Sequence, residues 1–264
     1  MMGDPVFLVY CSGDDLDYAQ LDQVYLESSL ENASSWHPEL TPEDALAKYE
    51  RGHHAYLENE FFPQGGMLML LKQEHYVCAL RLYPLEADRF YIEALETRPD
   101  ARNRGYAKML LQEMTLYLTE RSCVCTVRSH VSKRNLASLR AHASAGFHAE
   151  TDYVMEDGVR DGSRVSLLWD NAQLSRISRF EKIYDHLAAP DAIETIPEDQ
   201  FRAELSCLDQ YYSSRLWRID FEADEKGILP QRLKRGVLSE DAIYLLLTEY
   251  QELLKEPHPE EGGS

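Results

Sequence analysis

Residues 102–107 of this 264-residue chain read Arg102-Asn103-Arg104-Gly105-Tyr106-Ala107, an R-x-x-G-x-A pattern lying between a β-like run that ends near Thr97 and an apolar-periodic run. The residue types suit an anion. A helix that starts at this point leaves its first backbone N–H groups without intrahelical partners and carries a partial positive charge there. Gly105 and Ala107 keep bulk away, so a pyrophosphate can approach the main chain, and Arg102, Arg104 and Lys108 add positive charge around it. The same residues also suit an ordinary strand-to-helix turn, and the pattern alone does not choose between the two.

The flanking elements would have to hold this loop in place. Residues 90–97 read as a strand that Pro99 stops, and residues 104–120 as a helix with Ala107, Leu110, Leu111, Met114 and Leu118 on one face. Upstream, the pattern predicts a short buried strand over 6–11 and an amphipathic helix opened by Asp14 and Asp15. A second helix is capped by Thr41, with Pro42 in its first turn. Gly65-Gly66 breaks the chain before strands at 67–71 and 75–83, and the turn-prone residues 84–88 separate the latter from the 90–97 strand. Downstream come a strand at 123–127, a helix capped by Ser132 and ended by Gly146, and strands at 147–155 and 163–169. Asp157-Gly158 and Asp161-Gly162 turn the chain between those last two strands. Beyond Asn171 no alternating pattern remains. Helical stretches are predicted around 172–188, 197–216 and 239–254, and the last residues read as a frayed tail.

Bulk properties narrow the function classes. A hydrophobic fraction of 44% supports a packed core, and no apolar run approaches the roughly 20 residues of a membrane span. The N-terminus lacks the basic region of a secretory signal, and the five cysteines show no framework spacing. Reduced thiols in a cytoplasmic protein follow, with Cys123 and Cys125 as core residues of one strand. The net charge of −19, shared by both parts of the chain, disfavours nucleic acid and anionic membranes and favours a cationic substrate such as an amine. His53-His54 has no partner at metal-ligand spacing, so no metal is expected.

In context the sequence resembles the GNAT superfamily of acetyl-coenzyme A dependent N-acyltransferases. Leu95-Glu96-Thr97 followed by Pro99 stands where that family has an L-x-V-x-P run, and residues 102–107 match its Q/R-x-x-G-x-G/A pyrophosphate motif. Residues 132–147, SKRNLASLRAHASAGF, match its second signature, an asparagine followed by a helix ending in Gly-Phe. The resemblance covers about residues 3–170. It implies an α/β GNAT fold, a mixed and mostly antiparallel sheet with flanking helices, over residues 1–171. It also implies a coenzyme site made by Leu95, Glu96, Thr97, Arg102, Asn103, Arg104, Gly105, Tyr106, Ala107, Lys108 and Asn135. In relatives the strand before the loop splays from its neighbour and its backbone pairs with the pantetheine arm.

The implied chemistry is direct acetyl transfer to a primary amine of a small molecule or peptide, in a ternary complex. An ammonium has no lone pair, and in relatives a carboxylate on the splayed strand usually receives its proton, directly or through water. In regular geometry Glu93 and Glu96 point to opposite faces, with Glu93 on the face of Leu95 and Thr97, although a bulge at the splay would change that parity; Glu93 is the preferred base, the alternative being a solvated strand charge. The Leu95 N–H is the expected oxyanion donor. Many relatives carry a tyrosine seven residues after the signature asparagine as the acid for the thiolate; here that position is His142, which can serve as the acid or be a partly buried helix residue. Tyr10, Trp36, His37, His53, His54 and Tyr56 fall where relatives shape the acceptor pocket.

Residues 172–264 are expected to form an all-α domain. They resemble a small helical family of unknown function found in bacterial proteins, through the run L-P-x-x-L-K-R-G-V-L-S-E-D-A-x-Y. Lys234-Arg235-Gly236 within it suits either an anion or partner contact or a solvated loop, and these helices could drive homodimerisation or bind a protein partner. The missing tyrosine and this second domain also leave open a non-catalytic acyl-coenzyme A sensor that signals through the helices.

Overall fold

The computed structural model describes residues 4–86, 88–122, 124–154 and 160–250. The chain forms two compact units, Met1–Asn171 and Ala172–Ser264.

The first unit is built on a seven-stranded sheet of order β1-β2-β3-β4-β5-β7-β6. The strands are β1 (Val6–Tyr10), β2 (Met67–Lys72), β3 (Tyr76–Glu86), β4 (Arg89–Thr97), β5 (Thr126–Ser132), β6 (His148–Val154) and β7 (Arg160–Asp170). Its neighbours are antiparallel except for the β4–β5 pair, which is parallel. β2 lies between two strands and has Leu68–Leu71 buried, hence its unbroken apolar run.

Helices α1 (Tyr18–Trp36) and α2 (Pro42–Tyr56) follow β1. Asp17 caps α1 by accepting the Gln20 N–H, and Thr41 caps α2 by accepting that of Asp44. Leu21, Val24 and Tyr25 of α1 pack with Leu57, Phe61, Leu68, Leu70, Tyr76 and Ala79 in one apolar cluster. Each such side chain taken out of water contributes roughly 1.5–3 kcal/mol. Helix α3 (Tyr106–Thr119) packs on β2, β3 and β4 and buries Leu110, Leu111 and Met114; helix α4 (Leu136–Ala143) packs beside α3.

Several boundaries differ from the sequence expectation for identifiable reasons. Helix α3 begins at Tyr106 because Gly105 takes φ 82° and serves as the cap. Ser132 ends β5 rather than capping the next helix; that role falls to Asn135, whose side chain accepts the Ser138 N–H. The strand expected over 123–127 starts at Thr126. Val124 is exposed, Cys125 is buried just before the strand, and Cys123 lies outside the described residues, as do Met155, the Asp157-Gly158 turn and the C-terminal tail. β3 runs through Pro84, which sits opposite Phe90. β2 reaches only to Met67 opposite Leu82, so Pro84 lies where β3 has a single strand partner and tolerates a missing donor.

The second unit contains α5 (Ala172–Leu187), α6 (Ala192–Thr195), α7 (Glu198–Tyr212), α8 (Arg215–Glu225) and α9 (Glu240–Glu249). The single helix expected over 197–216 breaks at Ser213-Ser214, where Ser214 caps α8 by accepting the Trp217 N–H. Asp220 is fully buried and satisfied, by Arg176 at 2.6 and 2.8 Å, Gln173 at 3.0 Å and the Tyr211 hydroxyl at 2.8 Å. Lys234 pairs with Asp185 and Arg235 with Asp224, while the Val237 N–H donates to Glu181 at 2.7 Å. Among the described residues no helix is long and apolar enough to cross a membrane.

Candidate active site

The Arg102–Ala107 loop is a turn with an open mouth of amides. Asn103 and Gly105 both have positive φ, 62° and 82°, and a Cβ on Gly105 would meet nothing within 4 Å. Gly105 is therefore required by conformation, and the space before it is free. The first ladder bond of α3 runs from the Met109 N–H to the Gly105 carbonyl at 3.0 Å, and no side chain caps the helix. The amides of Tyr106, Ala107 and Lys108 thus precede the ladder, as an anion site needs. The flanking groups hold the turn. Arg102 reaches the Thr97 carbonyl (3.3 Å) and Glu27 (2.6 Å), Arg104 donates to the Asp100 carbonyl (3.2 Å), and the buried Tyr106 donates to Gln73 (2.9 Å).

Beside this turn the sheet opens. β4 pairs with β5 only from Arg89↔Thr126 to Ile92↔Ser129, whereas β5 continues along β7 to Ser132 and β4 continues along β3 to Thr97↔Cys78. Glu93, Ala94, Leu95, Glu96 and Thr97 therefore border a splay between two parallel strands. The β3–β4 register also slips there. Arg81 faces Ala94 and Leu82 faces Ile92, which leaves Glu93 as the extra residue of a β-bulge.

The bulge corrects the expected side-chain parity. Glu93 accepts from the Tyr56 hydroxyl at 3.1 and 3.2 Å and lies 3.0 Å from Arg81 Nε, a distance for an ion pair though not an aligned hydrogen bond. Glu96 lies opposite Ala79, two residues before Arg81, and within hydrogen-bonding reach of the Ser28 hydroxyl. Both carboxylates thus face α1 and α2, and Glu93 does not share the face of Leu95 and Thr97. Burial raises the Glu96 carboxyl above the usual range, opposed by Ser28, Arg81 and Arg102 and reinforced by Glu27.

Arg81 organises this face. Its guanidinium lies 5.7 Å from the ring centroids of both Tyr25 and Tyr56, and its Nη1 meets His53 Nε2 at 2.5 Å. Burial, then the charges of Arg81 and His54, lower the His53 pKa to about 3, so the ring is neutral and accepts the guanidinium proton. Tyr25 is buried, its hydroxyl has no hydrogen-bond partner among the described residues, and burial raises its pKa. The sequence reading gives no site role to Arg81, Tyr25 or Ser28. The signal for Arg81 was a lone cation in the apolar run VCALRLY.

His142 is buried at 1% exposure on α4, edge-on to Phe147. Its Nδ1 lies 2.8 Å from the Ser138 carbonyl and so carries the hydrogen, leaving Nε2 as a lone pair without a partner among the described residues. Burial lowers its pKa, against the Ser138 carbonyl. The Asn135 oxygen is engaged in capping α4 at 3.0 Å, and its amide NH2 remains the donor end.

Of the other N-terminal candidates, Tyr10 bonds the Tyr76 hydroxyl at 3.1 Å, His54 bonds Asp22 at 2.8 Å, and Trp36 is exposed against Tyr49. Among the described residues no group of three or more His, Cys, Asp or Glu could hold a metal.

Residues 27–147 match the model of the Acetyltransferase (GNAT) family, and residues 177–257 match that of a domain of unknown function, DUF4298. The chain carries a GNAT acetyltransferase domain followed by a DUF4298 domain. The family match supports an N-acetyltransferase activity. No curated protein matches the sequence. Similar solved structures include the PaiA N-acetyltransferase of Thermoplasma acidophilum in complex with coenzyme A, with 14% identity, 62% of this chain and 98% of that one covered, and a TM-score of 0.42. The ribosomal-protein-S18-alanine N-acetyltransferase of Escherichia coli is similar at 15% identity, with 62% and 94% covered and a TM-score of 0.41. The spermidine N-acetyltransferase of Vibrio cholerae, in complex with CoA and spermine, is similar at 12% identity, with 62% and 94% covered and a TM-score of 0.42.

Proposed function

We propose that the first unit is an acetyl-coenzyme A dependent N-acetyltransferase acting by direct attack of a primary amine in a ternary complex. The observation that carries this reading is the β4–β5 splay opening beside the Gly105 turn. The pyrophosphate would rest on the amides of Tyr106, Ala107 and Lys108, with Arg102, Asn103 and Arg104 shaping the turn. The pantetheine arm would pair with the backbone of Leu95, Glu96 and Thr97 and pass the Asn135 amide. The Leu95 N–H is the donor proposed for the oxyanion, and the carboxylates at Glu93 and Glu96 are the groups able to receive the amine proton. The acidic chain favours a cationic acceptor, and the setting proposed is the cytoplasm.

Bound coenzyme must raise the melting temperature of the protein. Acetyl-coenzyme A at millimolar concentration should therefore shift the wild type and not Gly105→Glu, whose side chain would enter the free space before the amides. An unshifted wild type contradicts the reading.

His142 favours a second reading. The acid role requires a proton on Nε2; the Ser138 carbonyl holds the ring hydrogen on Nδ1, and burial disfavours adding a second one at Nε2. An acyl-coenzyme A sensor needs no such acid and would bind coenzyme without thiol release. Turnover lost in His142→Phe with coenzyme binding retained would support the enzyme and His142 as its acid.

A further inference from the structure

The second unit carries an aromatic groove that the acyl-transfer reading leaves unused. It has a volume of about 370 Å³ and is lined by Tyr212 at the end of α7, Trp217, Arg218 and Phe221 of α8, and Glu240 at the start of α9. That volume lies within the roughly 300–1,000 Å³ of small-molecule sites. The floor is fixed. The Trp217 ring stacks on Phe221 with centroids 5.2 Å apart at 16°, and Tyr212 meets it at 4.9 Å and 73°. Trp217 donates its ring N–H to the Val237 carbonyl at 3.0 Å, and the buried Asp220 ties α8 to Arg176 of α5 and Tyr211 of α7. Two exposed charges stand at this floor, Arg218 and Glu240, and neither has an ion-pair partner among the described residues. They stand apart. Arg218 shares one side of α8 with Phe221, three residues on, whereas Glu240 lies with Tyr212, whose pKa is raised by burial and then by Glu240, Tyr244 and Asp241.

We propose that this groove binds a small zwitterion with an aromatic body, an aromatic amino acid or a short peptide ending in one. Its ring lies on the Trp217 platform, its ammonium meets Glu240 and its carboxylate meets Arg218. The two charges select this class. A ligand with only a positive end gains from Glu240 and is repelled by Arg218, and one with only a negative end meets the reverse. An uncharged ligand covers both groups without replacing their water. A zwitterion satisfies both, and its ring adds aromatic contact to a platform that is ordered before it arrives. The site recognises its ligand and makes or breaks no bond. It is independent of the coenzyme site, so it stands whether or not the first unit transfers an acetyl group.

Titration calorimetry on the full chain tests this, with phenylalanine and glycyl-phenylalanine as probes. At least one should bind, and the tighter of the two identifies the source as a free amino acid or a peptide end. Alanine, which keeps both charges and lacks the ring, should bind about tenfold more weakly than phenylalanine, or less. Arg218→Gln and Glu240→Gln, both surface changes that should not disturb folding, should each weaken the bound probe about 3- to 10-fold. Phenethylamine lacks the carboxylate, so it should bind the wild type weakly and lose nothing further in Arg218→Gln. Hydrocinnamate lacks the ammonium and should lose nothing further in Glu240→Gln. The proposal is overturned if neither probe binds at about 10 mM. It is equally overturned if binding survives both substitutions, which would place the probe elsewhere on the chain, as an amine in the first unit for example. The melting shift with acetyl-coenzyme A is a separate readout, and its loss or presence bears on the acetyltransferase reading and not on this groove.

Discussion

Glu93 Oε2 stands 3.0 Å from Arg81 Nε across a bulge that places both at the mouth of the β4–β5 splay. Regular alternation would turn Glu93 to the other face. The one-residue register slip therefore decides which side of the sheet carries the paired charges.

His53 ties this cluster to pH. Burial depresses its pKa to about 3 in the folded state, against about 6.5 unfolded. A group held neutral by folding stabilises fully above its unfolded pKa, and that contribution is lost as pH falls toward the folded value. The melting temperature should therefore fall as pH drops from 7 to 5, and fall less in His53→Gln, which keeps a neutral acceptor for Arg81. Parallel curves for the two proteins in thermal melts across that range would contradict the assignment.

Asn135 carries a structural duty beside its proposed coenzyme contact. Its oxygen accepts the Ser138 N–H at 3.0 Å, so Asn135→Ala should cost about 1 kcal/mol and Asn135→Asp much less. Urea unfolding midpoints check this. Equal midpoints in all three proteins would show that the cap adds nothing.

In the second unit, Asp220→Ala leaves Arg176 facing a buried void. Breaking such a pair costs about 3–5 kcal/mol. Far-ultraviolet circular dichroism during denaturation should show early loss of helix in this variant, and a wild-type transition would argue against the buried network as a support of the fold.

Much of this arrangement is legible in the sequence because it is local. The glycine of the pyrophosphate turn, the Thr41 cap, the α3 face and the Gly146 stop all express interactions within a few residues. Arg81 and Tyr25 were missed because their meaning is nonlocal: only sheet pairing and α1 packing bring a lone strand cation between two rings. The sequence leaves the Glu93 bulge open as an alternative to regular alternation, since a register slip is set by the partner strand. Ser132 resembled a cap by residue type, but pairing with β7 extended β5 through it and moved the cap to Asn135.

Gly105 gives a prediction on conformation alone. With φ 82° and open space at the Cβ position, Gly105→Ala should cost about 1–2 kcal/mol of stability yet leave the amides reachable. Coenzyme binding by calorimetry should persist in Gly105→Ala and vanish in Gly105→Glu. Equal loss in both would mean that the glycine serves strand-to-helix geometry and no ligand.

The most direct measurement is thiol release from acetyl-coenzyme A by the full chain against a panel of polyamines, amino acids, peptides and aminoglycosides. The account predicts amine-dependent release with at least one class, abolished in Gly105→Glu. Tight coenzyme binding with no release across the whole panel would contradict it.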